Sequence, residues 1–309
     1  IYNRNYFYGG WGLDSMVDFY NLDEPYFIAE VGINHNGDLQ IAKKLIDASF
    51  ASNWDCVKFQ KRNPDVCIPE KQKGVMRETP WGTMTYLEYK HRVEFGKEEY
   101  DYIDKYCKEK SIDWTASVWD MDSLEFMSQY DVPFIKIPSA LLTDLDLINA
   151  ATETGKFLIL STGMSTLEEI DKTVETLKGG YVYYALRDYF HHDFMLLHCN
   201  STYPAPENEL NLRVINTLQD RYHCPVGYSG HEKYLEPPLI AITLGARVIE
   251  RHITLDHSMW GTDHSSSLEV FAMDMLRKRC DKVLDMLGTD KKIVTDSEIK
   301  VREKLRPNA

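Results

Sequence analysis

From Tyr26 onward, short β-rich apolar runs alternate with longer stretches whose apolar positions recur every three or four residues. That alternation predicts a parallel sheet covered by helices, because parallel strands are buried on both faces and are joined through crossover helices. Eight runs fit: "YFIAE" ending at Glu30, "CVKFQ" at Gln60, "DWTAS" at Ser117, "FIKIP" at Pro138, "FLILS" at Ser161, "FMLLH" at His198, "VGYS" at Ser229 and "VIERH" at His252. Four intervening segments have helical period: "DLQIAKKLIDASFASN", with Asp38 as a cap, "KEEYDYIDKYCKEK", "STLEEIDKTVETLKGG" and "LEVFAMDMLRKRCDKVLDML". In the third, Ser165 and Glu168 have capping-box spacing, and Gly179 and Gly180 can end the helix. Eight such units in about 260 residues predict an α/β fold of the (β/α)8 TIM-barrel type rather than an open doubly wound sheet.

The pattern divides the chain into an N-terminal extension over 1–25, a catalytic barrel over 26–290 and a tail over 291–309. The aromatic and acidic extension is expected to lie under the barrel as a lid. Two insertions interrupt the even spacing: the excursion between Gln60 and Asp113, including "TMTYLEYKHRVEF", and "YVYYALRDYFHHD" before the sixth run.

Composition narrows the function. A net charge of −13 excludes the clustered basic face that nucleic acid requires, so an anionic substrate needs positive charge supplied locally. Six cysteines without a paired spacing suggest neither a disulfide framework nor a zinc ribbon, and a reducing cytoplasm is expected. No apolar run is long enough for a membrane span, and the first residues do not read as a signal peptide.

In a TIM barrel the chemistry gathers at the C-terminal ends of the strands. Those ends carry Glu30, Lys58 with Gln60, Thr115 with Ser117, Lys136 with Ser139, Ser161 with Thr162, His198 with Ser201, Ser229 with His231, and Glu250 with His252. Lys58 and Lys136 sit inside apolar runs, where an ammonium needs an anionic ligand or a buried carboxylate. Two converging lysines with several hydroxyls suit a phosphate or carboxylate; a pair of structural Lys–Glu bridges is the alternative. His231 and His252 end adjacent runs and suit a divalent ion with open positions, while His257 and His264 read as solvated loop residues. Glu250 shares the side-chain parity of His252.

The motifs "AEVGINHNGDLQIAKKLIDAS", "VKFQ", "IKIPSA", "LILSTGMSTLEEI", "LLHCNSTYPAP", "VGYSGHE" and "ERHITLDHSMWGTDHSSSLE", in this order over about residues 26–285, resemble the N-acetylneuraminate (sialic acid) synthase family. The resemblance implies a metal-dependent condensation of phosphoenolpyruvate with the open-chain aldehyde of an aldose such as N-acetylmannosamine, giving a 3-deoxy-2-ulosonic acid and phosphate. It implies that Lys58, Lys136, Ser139, Ser161 and Ser229 hold phosphoenolpyruvate, with Ser201 beside them. His231 and His252 would hold the metal: Mn²⁺, with Co²⁺, Mg²⁺ or Zn²⁺ as alternatives. Glu30, Tyr203 and Asp263 would face the sugar or the reacting carbonyl, Gln60 would line the pocket and Glu250 would support the metal-bound water. A homodimer is also implied.

Three motifs depart from the family pattern. "KIGSGE" is here "KIPSAL", which replaces a carboxylate by Leu141; "SDH" is "SGH", with Gly230; and "HCTN" is "HCNS", with Ser201 in place of asparagine. Sialic acid synthases usually continue into an antifreeze-like domain whose arginine recognises the acyl group, and "VREKLRPNA" stands where the linker to it would begin. The changed motifs favour a different sugar, as in synthases of legionaminic, pseudaminic, deaminated nonulosonic or octulosonic acids. A Schiff-base aldolase using Lys136 and an inactive sugar-binding barrel are the competing expectations.

Overall fold

The computed structural model of the chain describes residues 17–180 and 193–306. Eight parallel strands form the barrel: β1 (Tyr26–Gly32), β2 (Cys56–Lys61), β3 (Asp113–Val118), β4 (Ile135–Ile137), β5 (Leu158–Ser161), β6 (Phe194–Cys199), β7 (Val226–Gly230) and β8 (Val248–Thr254). β1 pairs with β8 from Tyr26↔Val248 to Glu30↔His252, which closes the sheet on itself. A two-residue strand, Leu268–Glu269, extends the far end of β8.

Strand alternation sorts every barrel residue into one of two layers. Facing the helices are Phe27, Ala29, Val57, Phe59, Trp114, Ala116, Ile135, Leu158, Leu160, Leu196, Val226 and Ile249, all in the main apolar core. Facing the axis at the N-terminal end are Tyr26, Ile28, Cys56, Phe134, Phe157, Ile159, Met195, Leu197 and Val248, a second apolar cluster. Phe19, before β1, plugs the bottom of that cluster: it stacks on Phe157 at 4.7 Å and meets Phe134 edge-on at 5.7 Å. The expected lid under the barrel is therefore present for the described part of the extension; residues 1–16 lie outside it. Towards the C-terminal end the inward positions turn polar, which leaves the chemistry on a packed apolar floor.

The helices follow their sequence signals. Asp38 caps helix Leu39–Ala51 by accepting from the amides of Gln40 and Ile41. The capping box expected at Ser165 and Glu168 sits one residue later: the Thr166 amide donates to Glu169 at 2.8 Å, and the Glu169 amide to Thr166 Oγ1 at 3.3 Å. Helix Leu167–Gly180 extends to the two glycines expected to end it, and residues 181–192 lie outside the described residues. The insertion before β6 falls on undescribed residues, apart from Asp193.

The excursion after β2 holds a hairpin, Met76–Thr79 with Gly82–Thr85, and a helix, Tyr86–Val93, started by a Thr85–Glu88 capping box. Trp81 and Tyr89 meet the edge of Trp260, from the loop after β8, at 5.9 and 5.0 Å. Two strand-end loops are thereby joined beside the barrel mouth. Helix Val270–Leu287 packs on the barrel, whereas helix Asp296–Leu305 leaves all its residues exposed. No helix among the described residues is long and apolar enough to cross a membrane, and all six cysteines are free.

Candidate active site

A cavity of about 200 Å³ opens at the C-terminal end of the barrel. It brings together Glu30, Lys58, Gln60, Lys136, Ser139, Ser161, Ser201, Tyr203, Ser229, His231, Glu250 and His252, which is every expected site residue except Asp263. Their convergence follows from parity: Glu30, Lys58, Lys136, Ser161, Ser229, Glu250 and His252 occupy inward positions just above the apolar floor. His198 has the opposite parity and bonds the Leu210 carbonyl at 2.7 Å, outside the cavity.

The charges form a buried chain. Lys58 Nζ lies 2.7 Å from Glu30 Oε2 and 3.6 Å from Glu250 Oε2. Burial opposes the Lys58 charge, but Glu250 and Glu30 outweigh it and raise the ammonium above its ordinary range. Lys136 donates to Ser161 Oγ at 2.7 Å, and its nearest carboxylate, Glu250 Oε1, is 4.0 Å away. Here burial wins: Glu250 offsets it only in part, Lys58 adds repulsion, and the Lys136 pKa is lowered. Burial would raise the Glu250 carboxyl, yet Lys136 and Lys58 hold it well below the usual range, with Ser229 donating to it at 3.0 Å. The two lysine readings thus coexist: Lys58 has structural carboxylate partners, while Lys136 is a buried cation without enough compensating charge.

Beside Lys136 the hydroxyls crowd together. Ser139 Oγ accepts from the Gly163 amide at 3.1 Å and contacts Cys199 Sγ at 3.2 Å. A Cβ at Gly163 would stand 2.2 Å from Ser201 Oγ and 2.8 Å from Ser139 Oγ, so only glycine lets the loop after β5 approach them. Leu141, at the position of the family carboxylate, packs against the apolar core; Pro138, Ser139 and Ala140 line the cavity in this loop.

On the opposite wall the His231 and His252 rings are 5.6 Å apart. His231 Nδ1 lies 2.6 Å from the Asn200 carbonyl, which can only accept, so Nδ1 carries the proton and Nε2 a lone pair. Tyr203 OH donates to that Nε2 at 2.9 Å. Burial, reinforced by His252, lowers the His231 pKa to about 3 and keeps the imidazole neutral. His252 Nδ1 is buried without a hydrogen-bond partner. Two imidazoles, one oriented by a carbonyl and one with an orphaned nitrogen, fit a metal-binding pair. Among the described residues no group of three or more His, Cys, Asp or Glu could hold an ion, so such a metal would complete its shell from water or substrate.

Asp263 is half-buried at the rim, outside the cavity lining. Burial raises its carboxyl, but His252, the Thr262 hydroxyl, Lys90 and Arg62 lower it further than burial lifts it. His264 corrects the expectation of a solvated loop: it is 1% exposed and bonds Thr254 Oγ1 at 2.7 Å. The loop turns back under Gly261, whose left-handed backbone brings it over that ring. His257 keeps an exposed ring, with Nε2 on the Ser267 carbonyl at 2.7 Å.

The structure adds residues that periodicity did not indicate. Gln60 donates to Glu30 Oε1 at 2.9 Å and accepts from Arg62 Nη2. Arg62 lies 4.1 Å over the ring of Trp119, itself a lining residue. Met164 and Cys199 complete the wall, with Ser117, which was expected at its strand end. Arg62 follows Gln60 at strand parity, the one sequence signal that pointed to it.

A model described as the NeuB family matches residues 45–292. The chain belongs to the NeuB family. It is 37% identical over 264 residues to the N-acetylneuraminate-9-phosphate synthase of Drosophila melanogaster, covering 83% of this chain and 67% of that one. It is 36% identical over 282 residues to the N,N'-diacetyllegionaminic acid synthase of Campylobacter jejuni subsp. jejuni, covering 90% and 82% respectively. Among solved structures, the N-acetylneuraminic acid (sialic acid) synthetase of Leptospira borgpetersenii, in complex with citrate, superposes with a TM-score of 0.79 at 31% identity, covering 92% of this chain and 93% of that one. The two sequence relatives are named synthases, and the barrel fold is shared with the Leptospira synthetase.

Proposed function

We propose that the protein condenses phosphoenolpyruvate with the aldehyde of an aldose, N-acetylmannosamine or a related sugar, to a 3-deoxy-2-ulosonic acid and phosphate. The observation that carries this reading is Lys136: a fully buried ammonium that donates to Ser161, stands 4.0 Å from its nearest carboxylate, and shares the cavity wall with Ser139. An anion with several oxygens satisfies that wall. The names of the relatives, synthases of sialic-type acids, support the same chemistry.

In this reading Lys136, Ser139 and Ser161 bind the phosphate, while Lys58 and Ser229 bind the carboxylate. Glu30 and Glu250 keep Lys58 protonated until the anion arrives, and Glu250 offsets part of the burial of Lys136. C3 of phosphoenolpyruvate bonds to the aldehyde carbon, whose oxygen takes up a proton. Water adds at C2 and loses one proton, which balances that taken by the aldehyde oxygen; its second proton leaves with phosphate as the C2–O bond breaks, leaving the C2 ketone. A divalent ion held by His231 and His252, Mn²⁺ in our reading, supplies polarisation of the aldehyde oxygen when bound. Tyr203 and His231 orient that side of the cavity, and Gln60 and Asp263 face the sugar. The free, mostly buried cysteines support a reducing cytoplasmic setting.

The deciding experiment is a phosphate-release screen over hexoses, N-acyl hexosamines and pentoses, with phosphoenolpyruvate and Mn²⁺. Release should require an aldose, and ¹⁸O in the bridging position of phosphoenolpyruvate should leave with the phosphate. Silence across the whole panel would reject the reading. A second reading, an aldolase that forms a Schiff base on Lys136, draws on the lowered pKa of that amine. Borohydride trapping of a sugar-derived carbonyl without metal would favour it.

A further inference from the structure

We propose that Glu232 and Arg251 are positioning residues that fix His231 and His252 relative to one another, and that Gly230 is glycine because of them. The proposal rests on the reading of the two histidines as one functional pair.

Glu232 directly follows His231, and Arg251 directly precedes His252. Both side chains are 0% exposed and pair at 2.8 Å, Arg251 Nη1 to Glu232 Oε1. Arg251 also donates to the Glu232 carbonyl through Nη2 and to the Tyr234 carbonyl through Nη1 at 3.1 Å. Tyr228 OH holds the other carboxylate oxygen, Oε2, at 2.7 Å. A fully desolvated ion pair brings little stability over well-packed apolar side chains, so its use lies in the geometry it imposes.

That geometry bears on the histidines. The β7–β8 pairing runs Ile249↔Tyr228, Glu250↔Ser229, Arg251↔Gly230 and ends there. His231 and His252 therefore project just beyond the last rung of the ladder. The Glu232–Arg251 pair, on the outward face, ties the two strands together at the point where backbone pairing stops.

Gly230 follows from the same device. A Cβ there would stand 2.6 and 2.7 Å from the Glu232 carboxylate oxygens and 2.8 Å from Tyr228 Cε1. The carboxylate cannot swing aside, because Arg251 and Tyr228 grip both oxygens. An aspartate at 230 would itself put carboxylate oxygens about 2.4 Å from its Cβ by ordinary bond lengths. It would place them where those of Glu232 now lie, so the carboxylate facing Arg251 can come from position 230 or 232, but not from both.

The test is a carboxylate transfer: Gly230→Asp, Glu232→Ser, and the two combined, in the full chain. Readouts are Mn²⁺ binding by calorimetry without substrates, kcat, KM for phosphoenolpyruvate, and circular dichroism for folding. Each single change should weaken Mn²⁺ binding and lower kcat at least tenfold, with KM for phosphoenolpyruvate within about twofold. The double variant should recover both to within about threefold. If Glu232→Ser does not fold, Glu232→Gln takes its place as a single variant, read on Mn²⁺ binding and kcat, and parent values in it overturn the proposal; it is not combined with Gly230→Asp, because its side chain still fills the space that the new carboxylate needs. Single variants matching the parent, or a folded double variant no better than the singles, overturn the proposal. A parent that turns over without binding Mn²⁺ removes the metal reading alone. Positioning is then judged on kcat at unchanged KM, and an unchanged kcat overturns it.

Discussion

Lys136 and Lys58 are the same residue type at equivalent depth, yet their surroundings drive them in opposite directions. Lys58 has two carboxylates within 3.6 Å, whereas the nearest to Lys136 is 4.0 Å away. Lys136→Met should raise KM for phosphoenolpyruvate at least tenfold, and steady-state kinetics showing an effect on the aldose alone would count against the assigned wall. On the facing wall, His252→Ala should abolish metal-dependent phosphate release with circular dichroism unchanged; full activity in that variant would remove the metal assignment. At this scale most of the site was legible, because a lysine or carboxylate inside an apolar run is costly unless it is used. Arg62 and Cys199 were not, since an arginine after a strand and a cysteine inside one are ordinary features of any barrel.

Among the elements, the strand ends and the loops after them differ in how they were read. Most strand ends were legible because a period of two sorts inward from outward positions, which separates Glu250 and His252 from Arg251; His198, expected among the strand-end groups, has the outward parity and stands outside the cavity. The loops obey no such period. Gly163 shows the consequence: its backbone fills the space between Ser139 and Ser201, which only the assembled loops reveal. Gly163→Ala should leave the fold intact and raise KM for phosphoenolpyruvate at least tenfold by displacing those hydroxyls; an unchanged KM would show that the loop can yield. The shift of one capping box from Ser165 to Thr166 has a similar origin, as both start sites carry a hydroxyl with a glutamate three residues on.

The whole molecule sets an apolar floor below a polar cavity, and the two are separable. Phe19 is 1% exposed and belongs to the floor, so Phe19→Ala should cost about 3–5 kcal/mol of stability in urea denaturation while leaving KM unchanged. A kinetic effect of that change would mean that floor and cavity are coupled. Stability should also depend on pH through buried histidine. Burial lowers the His35 pKa from 6.5 to about 3, so between these values the unfolded chain binds a proton that the folded chain refuses. Stability is then complete above pH 6.5 and falls as pH drops towards 3, with His231 adding in the same sense. The urea midpoint should decline over this interval, less steeply in His35→Gln; an identical slope in the variant would exclude His35 as a source.

By itself the sequence determined the eight-unit barrel, the identity of the residues at its strand ends and the NeuB resemblance, because periodicity and ordered motifs are local properties of a chain. Tertiary structure decided what each of those groups faces. It gave Lys58 two carboxylates and left Lys136 short of charge, turned Leu141 into the core, and buried His264 that local polarity had placed in solvent. It also set Glu232 against Arg251 across two strands, a contact between residues 19 positions apart that no local pattern encodes. Burial and partner distance fix charge states and orientations, and both exist only once the barrel has closed.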